Sequence, residues 1–150
     1  MVEVGNARVR VVAGSAFGTT SPVDVLSELF YVDAELGRGA ELEVPDAYAE
    51  RAAYVVDGVL SCDGEEYGAG TMIVFREGVA ACVAAVAPTR AMLLGGAPLD
   101  GERHIWWNFV SSSTERIEQA KRAWKERRFP TVPGDEHEFV PLPPDIGRPR

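Results

Sequence analysis

Asp63-Gly64 lies between two alternating apolar runs, "RAAYVVDGVLSC" before it and "EEYGAGTMIVF" after it. An Asp-Gly pair tolerates positive φ at both central positions of a type I′ turn, and the twist of that turn matches the strands it joins. The stretch is therefore expected to be an antiparallel hairpin. The surrounding chain repeats the pattern. "ARVRVVAG" alternates with period two up to Gly14, which is expected to end the strand, and the segment from Val25 through Leu36 is strand-rich. "GRGAELEVP" turns at its glycines and then places Ala40, Leu42 and Val44 on one face. Two more strands follow in "GVAACVAAVA" and "RAMLLGG". Some seven short strands at regular spacing point to a sandwich or barrel and away from a parallel α/β fold.

After Gly101 the pattern changes. "SSSTERIEQAKRAWKER" is the one strong helix, expected over about residues 113–127. Ser112 and Glu115 have the spacing of a capping box, and Ile117, Ala120 and Trp124 make one apolar stripe. Phe129-Pro130 is expected to stop the helix. Residues 130–150 form a proline-rich tail with one short extended piece at "HEFVPL", and the last six or so residues are expected to be disordered. The division expected is a single domain over residues 1–129 followed by that tail.

The chain of 150 residues carries a formal net charge of −8, a field that repels phosphate backbones, so direct nucleic-acid binding is not expected. No apolar run reaches the roughly 18 residues of a membrane helix, and the start of the chain has no apolar leader core. A cytoplasmic protein is expected. Cys62 and Cys82 have no metal-ligand or redox spacing, and "VAACVAAV" reads as the setting of a small buried hydrophobe. His104 and His137 are the only histidines, 33 residues apart, and carboxylates do not cluster on any strand face. Three or four converging donors, as a transition metal needs, are not legible. Ser111, Ser112 and Ser113 read as capping residues, since no nucleophile elbow surrounds them. Trp106 and Trp107, as neighbours in a strand, should face opposite sides. One ring would then enter the β core and the other would meet the helix stripe at Trp124.

The stretch "LLGGAPLDGERHIWWNFVSSSTERIEQAKRAWKERRFPTVPGDEHEFVPLP" resembles the C-terminal domain of pirin-family proteins, the bacterial branch in particular. It shares a Gly-Gly turn followed by proline, an extended aromatic segment ending in Phe-Val, an acidic helix and a "PLP" exit. "AAYVVDGVLSCDG" resembles a strand-hairpin of the same family. Ala97 departs from it, standing where many members carry a glutamate. The resemblance implies an all-β fold with one C-terminal helix, a cupin-type antiparallel jelly-roll β-barrel. Pirins are normally two cupins in tandem, with the metal in the first, held by three histidines and a glutamate. This chain begins where the second cupin would begin, and none of those ligands transfers onto it. No catalytic, cofactor-binding or metal residue is therefore expected, and no cofactor.

The function expected is that of a non-catalytic binding or protein-interaction domain, forming a dimer or other homo-oligomer or docking with a metal-bearing cupin partner. Two alternatives stand beside it. One is a metal-dependent dioxygenase of quercetin type using His104 or His137 with carboxylates. The other is a small-molecule sensor, its ligand unknown, held at the barrel mouth by Trp107 or Tyr54.

Overall fold

The computed structural model describes residues 1–135 and 137–144; the disorder expected at the end of the chain lies outside them. The described residues form two compact units, Met1–Pro98 and a second that begins at Leu99.

The first unit contains β1 (Val2–Val4), β2 (Ala7–Ala16), β3 (Thr19–Thr20), β4 (Leu29–Leu36), β5 (Glu41–Glu43), β6 (Glu50–Asp57), β7 (Val59–Cys62), β8 (Glu65–Gly68), β9 (Met72–Phe75), β10 (Cys82–Ala85) and β11 (Thr89–Gly96). The larger sheet runs β1-β2-β4-β11-β6-β9, with β3 paired to β2, and the smaller runs β5-β10-β7-β8. Neighbours in these sheets are antiparallel and mostly distant in sequence, as in a jelly roll. Among the described residues the ladders do not close into the expected barrel. The inward-facing residues of both sheets share one core, with Val9, Phe30, Val32, Leu42, Leu60 and Leu93 almost fully buried. Each such side chain contributes about 1.5–3 kcal/mol by leaving water.

Ala40, Leu42 and Val44 are buried on one face, as their alternation indicates. The Asp63-Gly64 hairpin forms between β7 and β8, with φ of 51° and 84° at its two central residues. Two local expectations fail. Gly14 does not end β2. It stays in register with Phe30 beyond a bulge, at φ 71°, and the backbone of Leu29 passes so close that only hydrogen fits in place of a side chain. Cys82 is exposed at the start of β10, because Val83 and Ala85 take the inward phase, whereas Cys62 is buried.

The second unit holds β12 (His104–Trp106), β13 (Phe109–Ser111) and α1 (Thr114–Lys125). The N-cap is Ser113, one residue later than the capping-box spacing suggests; its Oγ accepts from the Arg116 N–H at 3.4 Å. The helix ends before Phe129-Pro130. Arg127 turns left-handed at φ 55°, its N–H donating to Trp124 O, while the Arg128 N–H reaches back to Ala123 O. That pair of bonds is a Schellman stop, and it satisfies carbonyls the helix would otherwise leave open.

Trp106 and Trp107 do not alternate across a strand. Trp106 pairs with Phe109 in the two-stranded ladder, and Trp107 occupies the connecting turn at φ 49°. The backbone reversal swings both rings into one aromatic group instead of separating them. Trp106 stacks on Phe109 at 6.2 Å, and Trp107 meets the Trp124 ring edge-on at 5.3 Å. Among the described residues the piece "HEFVPL" pairs with no strand. It is held by Phe139 stacked on Trp124 at 5.6 Å and by Trp124 Nε1 donating to Val140 O at 2.8 Å. Such ring contacts add about 0.5–1.5 kcal/mol apiece beyond area burial, which orders this short unit.

Candidate functional site: the outer face of the large sheet

The interior of the jelly roll is the first place to look for chemistry, and its side chains do not suit a metal. Ala53, Val55, Leu60, Ile73, Val83 and Ala85 point inward, all apolar. Among the described residues no three His, Cys, Asp or Glu side chains converge on one point. His104 opens β12 with its Nδ1 3.7 Å from Glu102 Oε1, and His137 is exposed. A transition-metal site needs three or four protein donors, so the residues present do not fit one. Neither thiol is an activated nucleophile. Burial pushes the Cys62 thiol up, helped by Asp63, and at the solvent-reaching Cys82 partial desolvation together with Glu41 also acts upward.

The opposite side of the large sheet is different. Cross-strand register sets Asp33, Met92, Tyr54 and Met72 in one row across β4, β11, β6 and β9. The next row is Tyr31, Leu94, Ala52 and Val74. Their neighbours along each strand face the core, so these residues face out. Several are left in water: Val74 is 76% exposed, Met72 52%, Tyr31 39% and Tyr54 37%. β9 is the last strand of its sheet, and none of its four residues is charged. Sheet edges of soluble proteins are ordinarily blunted by charge, proline or bulges. This one continues an apolar face to an apolar border.

The β2–β4 side of the same face is charged. Arg90 holds Asp33 with two hydrogen bonds, Nε to Oδ1 at 2.9 Å and Nη2 to Oδ2 at 3.0 Å, and Arg8 pairs with Glu35. The face thus has an apolar centre bordered by ion pairs. The Arg90 hydrogen bond holds the Asp33 carboxyl below its ordinary range, against the opposing effect of its burial. A depressed carboxylate adds stability above its unfolded pKa of about 3.9, and loses it as pH falls through the folded value. Asp33→Asn is therefore expected to be less stable than wild type at neutral pH, with the gap closing below about pH 4. Denaturant titrations across that acid range check it; a gap that stays constant would refute it.

Residues 31–130 match the pirin C-terminal cupin domain. The chain belongs to that family. It is 47% identical over 141 residues to a pirin-like protein of Caulobacter vibrioides, covering 94% of this chain and 49% of the relative. A crystal structure of quercetin 2,3-dioxygenase from Acinetobacter baumannii superposes with a TM-score of 0.85 at 28% identity, over 98% of this chain and 51% of that one. A second structure of that name from the same organism gives 0.76 at 23% identity, covering 86% and 46%, and speaks for the fold alone. The pirin-type chain thus spans about half the length of the relatives it matches.

The residues considered for a sensor belong to different units of this pirin-type chain. Tyr54 lies on the outer face of β6, and Trp107 belongs to the aromatic group of the second unit. One cleft of the first unit is lined by Phe17, Val44 and Pro45 together with Glu41, Glu43 and Asp46. The outer-face residues are individually legible as strand residues. Their exposure is not, because "MIVF" and "RAMLLGG" are apolar on both faces and neither face is marked as the one left open. Among the described residues no group of three or more His, Cys, Asp or Glu side chains is placed to hold a metal ion. Among those residues no helix is long and apolar enough to cross a membrane.

Proposed function

We propose that this pirin-type cupin is a non-catalytic interaction domain, docking through the outer face of β4, β11, β6 and β9 onto a second copy of itself. The observation that carries the proposal is the apolar row ending at Val74 on an uncharged edge strand. Contiguous apolar patches seldom stay bare on a soluble protein unless something binds them. Two features favour a second copy. Two copies of one face meeting about a two-fold axis are self-complementary, and that is the commonest way for identical chains to associate. The border of Arg90–Asp33 and Arg8–Glu35 carries both signs, so two such faces can meet in opposed orientation without a field of one sign.

Sedimentation velocity tests this. The wild-type chain should sediment as a dimer, and Val74→Asp should weaken it by roughly 100-fold, since the new carboxylate would have to be buried without a partner. A wild-type monomer at all concentrations would refute self-association. A complex formed only on adding a metal-bearing pirin-type cupin would move the same face to a different occupant.

A second reading is favoured by the similarity at 28% identity to a quercetin 2,3-dioxygenase structure. A dioxygenase would need carboxylates to converge on His104 or His137, and among the described residues no such group of three donors is assembled. Turnover of quercetin by the purified chain with added iron, lost in the double variant His104→Ala/His137→Ala, would establish it.

A further inference from the structure

The helix of the second unit is basic within an acidic chain. Residues 114–128 hold six lysines and arginines against three glutamates, while the whole chain carries −8. Two clefts of that unit follow α1. One is lined by Phe109, Ile117 and Phe129 together with Arg103 and Arg116. The other is lined by Arg116, Gln119, Arg122 and Arg128 with Ala120 and Ala123. The clefts share Arg116 and Ala120, so they make one groove along the side of the helix that carries residues 116, 119, 120 and 123. Among the described residues no Asp or Glu lines either cleft.

The four arginines are not equally engaged. Arg103 is held by the Asp100 carboxylate and donates to Gly101 O at 3.1 Å, and Arg128 donates from Nε to Glu126 Oε2 at 2.6 Å. Arg116 and Arg122 are exposed, and among the described residues neither takes part in an ion pair. Phe129, at the same groove, is 41% exposed. Guanidiniums pair best with carboxylates, and an exposed ring surface takes an apolar side chain.

We propose that this groove docks a short acidic peptide segment, with carboxylates on Arg116 and Arg122 and one apolar side chain against Phe109, Ile117 and Phe129. The lengths agree. From Arg116 to Arg128 the helix spans about 18 Å at 1.5 Å per residue, which matches about five or six residues of extended peptide. Charge complementarity selects the occupant: the groove is cationic, whereas the negative field of the whole chain opposes a long polyanion such as a nucleic acid. The residues all belong to the second unit, so the proposal does not rest on self-association through the outer face of the large sheet.

Fluorescence anisotropy at low ionic strength tests it, with a fluorescein-labelled peptide of glutamates and a single phenylalanine as the probe. The wild-type chain is expected to bind the probe, and Arg116→Glu to weaken binding by roughly 10-fold or more. Lys125→Glu makes the same charge change on the same helix, but Lys125 lines neither cleft, and its loss should stay below about 3-fold. Both residues are exposed, and a glutamate in the first turn of a helix is favourable, so Arg116→Glu should fold as wild type does. Replacing the phenylalanine of the probe by glycine should weaken binding several-fold. Absence of binding by the wild-type chain would overturn the proposal. Equal losses in the two variants would do the same, since they would show a diffuse field and no groove. Equally tight binding of the phenylalanine-free probe, or of an oligothymidylate of the same net charge, would replace the peptide groove by an unselective anion surface.

Discussion

Phe30→Ala is expected to remove about 3–5 kcal/mol of stability, a large share of the roughly 5–15 kcal/mol that holds a domain folded. The ring is 1% exposed, lies over Gly95 and meets Tyr48 at 5.6 Å. It packs at the end of the core where Arg51 also enters, with Gly95 between them in the register. Truncation would leave a cavity that backbone on three strands cannot collapse to fill, and cavity terms add to the lost transfer energy. Urea unfolding measures it, with the midpoint falling and the slope kept. A cost under about 1 kcal/mol would mean that the two sheets do not enclose the ring as described.

Gly14→Ala is expected to cost about 2–5 kcal/mol through two separable effects. The left-handed backbone at φ 71° penalises any Cβ by about 1–2 kcal/mol. The new carbon would also run into Leu29 O and stand 2.7 Å from Leu29 C, both backbone atoms of the neighbouring chain segment, so β2 and β4 would have to part. Gly18 provides the control. It has φ 69° in the β2–β3 turn, and a methyl group placed there would meet nothing within 4 Å, so Gly18→Ala should show the conformational effect alone. The difference between the two variants isolates the steric effect. Equal losses would show that β4 does not pass over Gly14 this closely.

Where one physical signal acts alone, the sequence is a good guide to this fold. Period-two alternation places Ala40, Leu42 and Val44 inside, and Asp63-Gly64 requires its hairpin. The helix is legible from its stripe. Its stop is not, because a Schellman turn needs one left-handed residue, and Arg127 is not the glycine or asparagine that usually signals it. Trp107 misleads for the same reason, since a tryptophan at φ 49° in a turn looks like part of a strand. Cys82 is misread from the apolar content of its neighbours, when the phase of Val83 and Ala85 decides which residues face in.

The candidate surface is hidden by a different ambiguity. A continuous apolar run means a strand covered on both faces, and nothing in the run says whether the second cover lies in the same chain. For "MIVF" it leaves Val74 and Met72 in water. Arg51 shows the converse. Alternation puts it inward, yet a charged residue is ordinarily read as outward, and only the fold reveals a guanidinium inside. The pirin-type resemblance is legible from the sequence, and the family match extends it over residues 31–130.

A domain that binds a partner surface and holds no metal of its own differs from a dioxygenase in both assembly state and mass. Native mass spectrometry of the wild-type chain, after exposure to iron, nickel and zinc salts and removal of excess, reads both at once. The expected species is a dimer without bound metal, reverting to monomer in Val74→Asp. A monomer carrying one tightly held metal ion per chain would contradict the interaction-domain reading on both counts and make the dioxygenase reading the leading one.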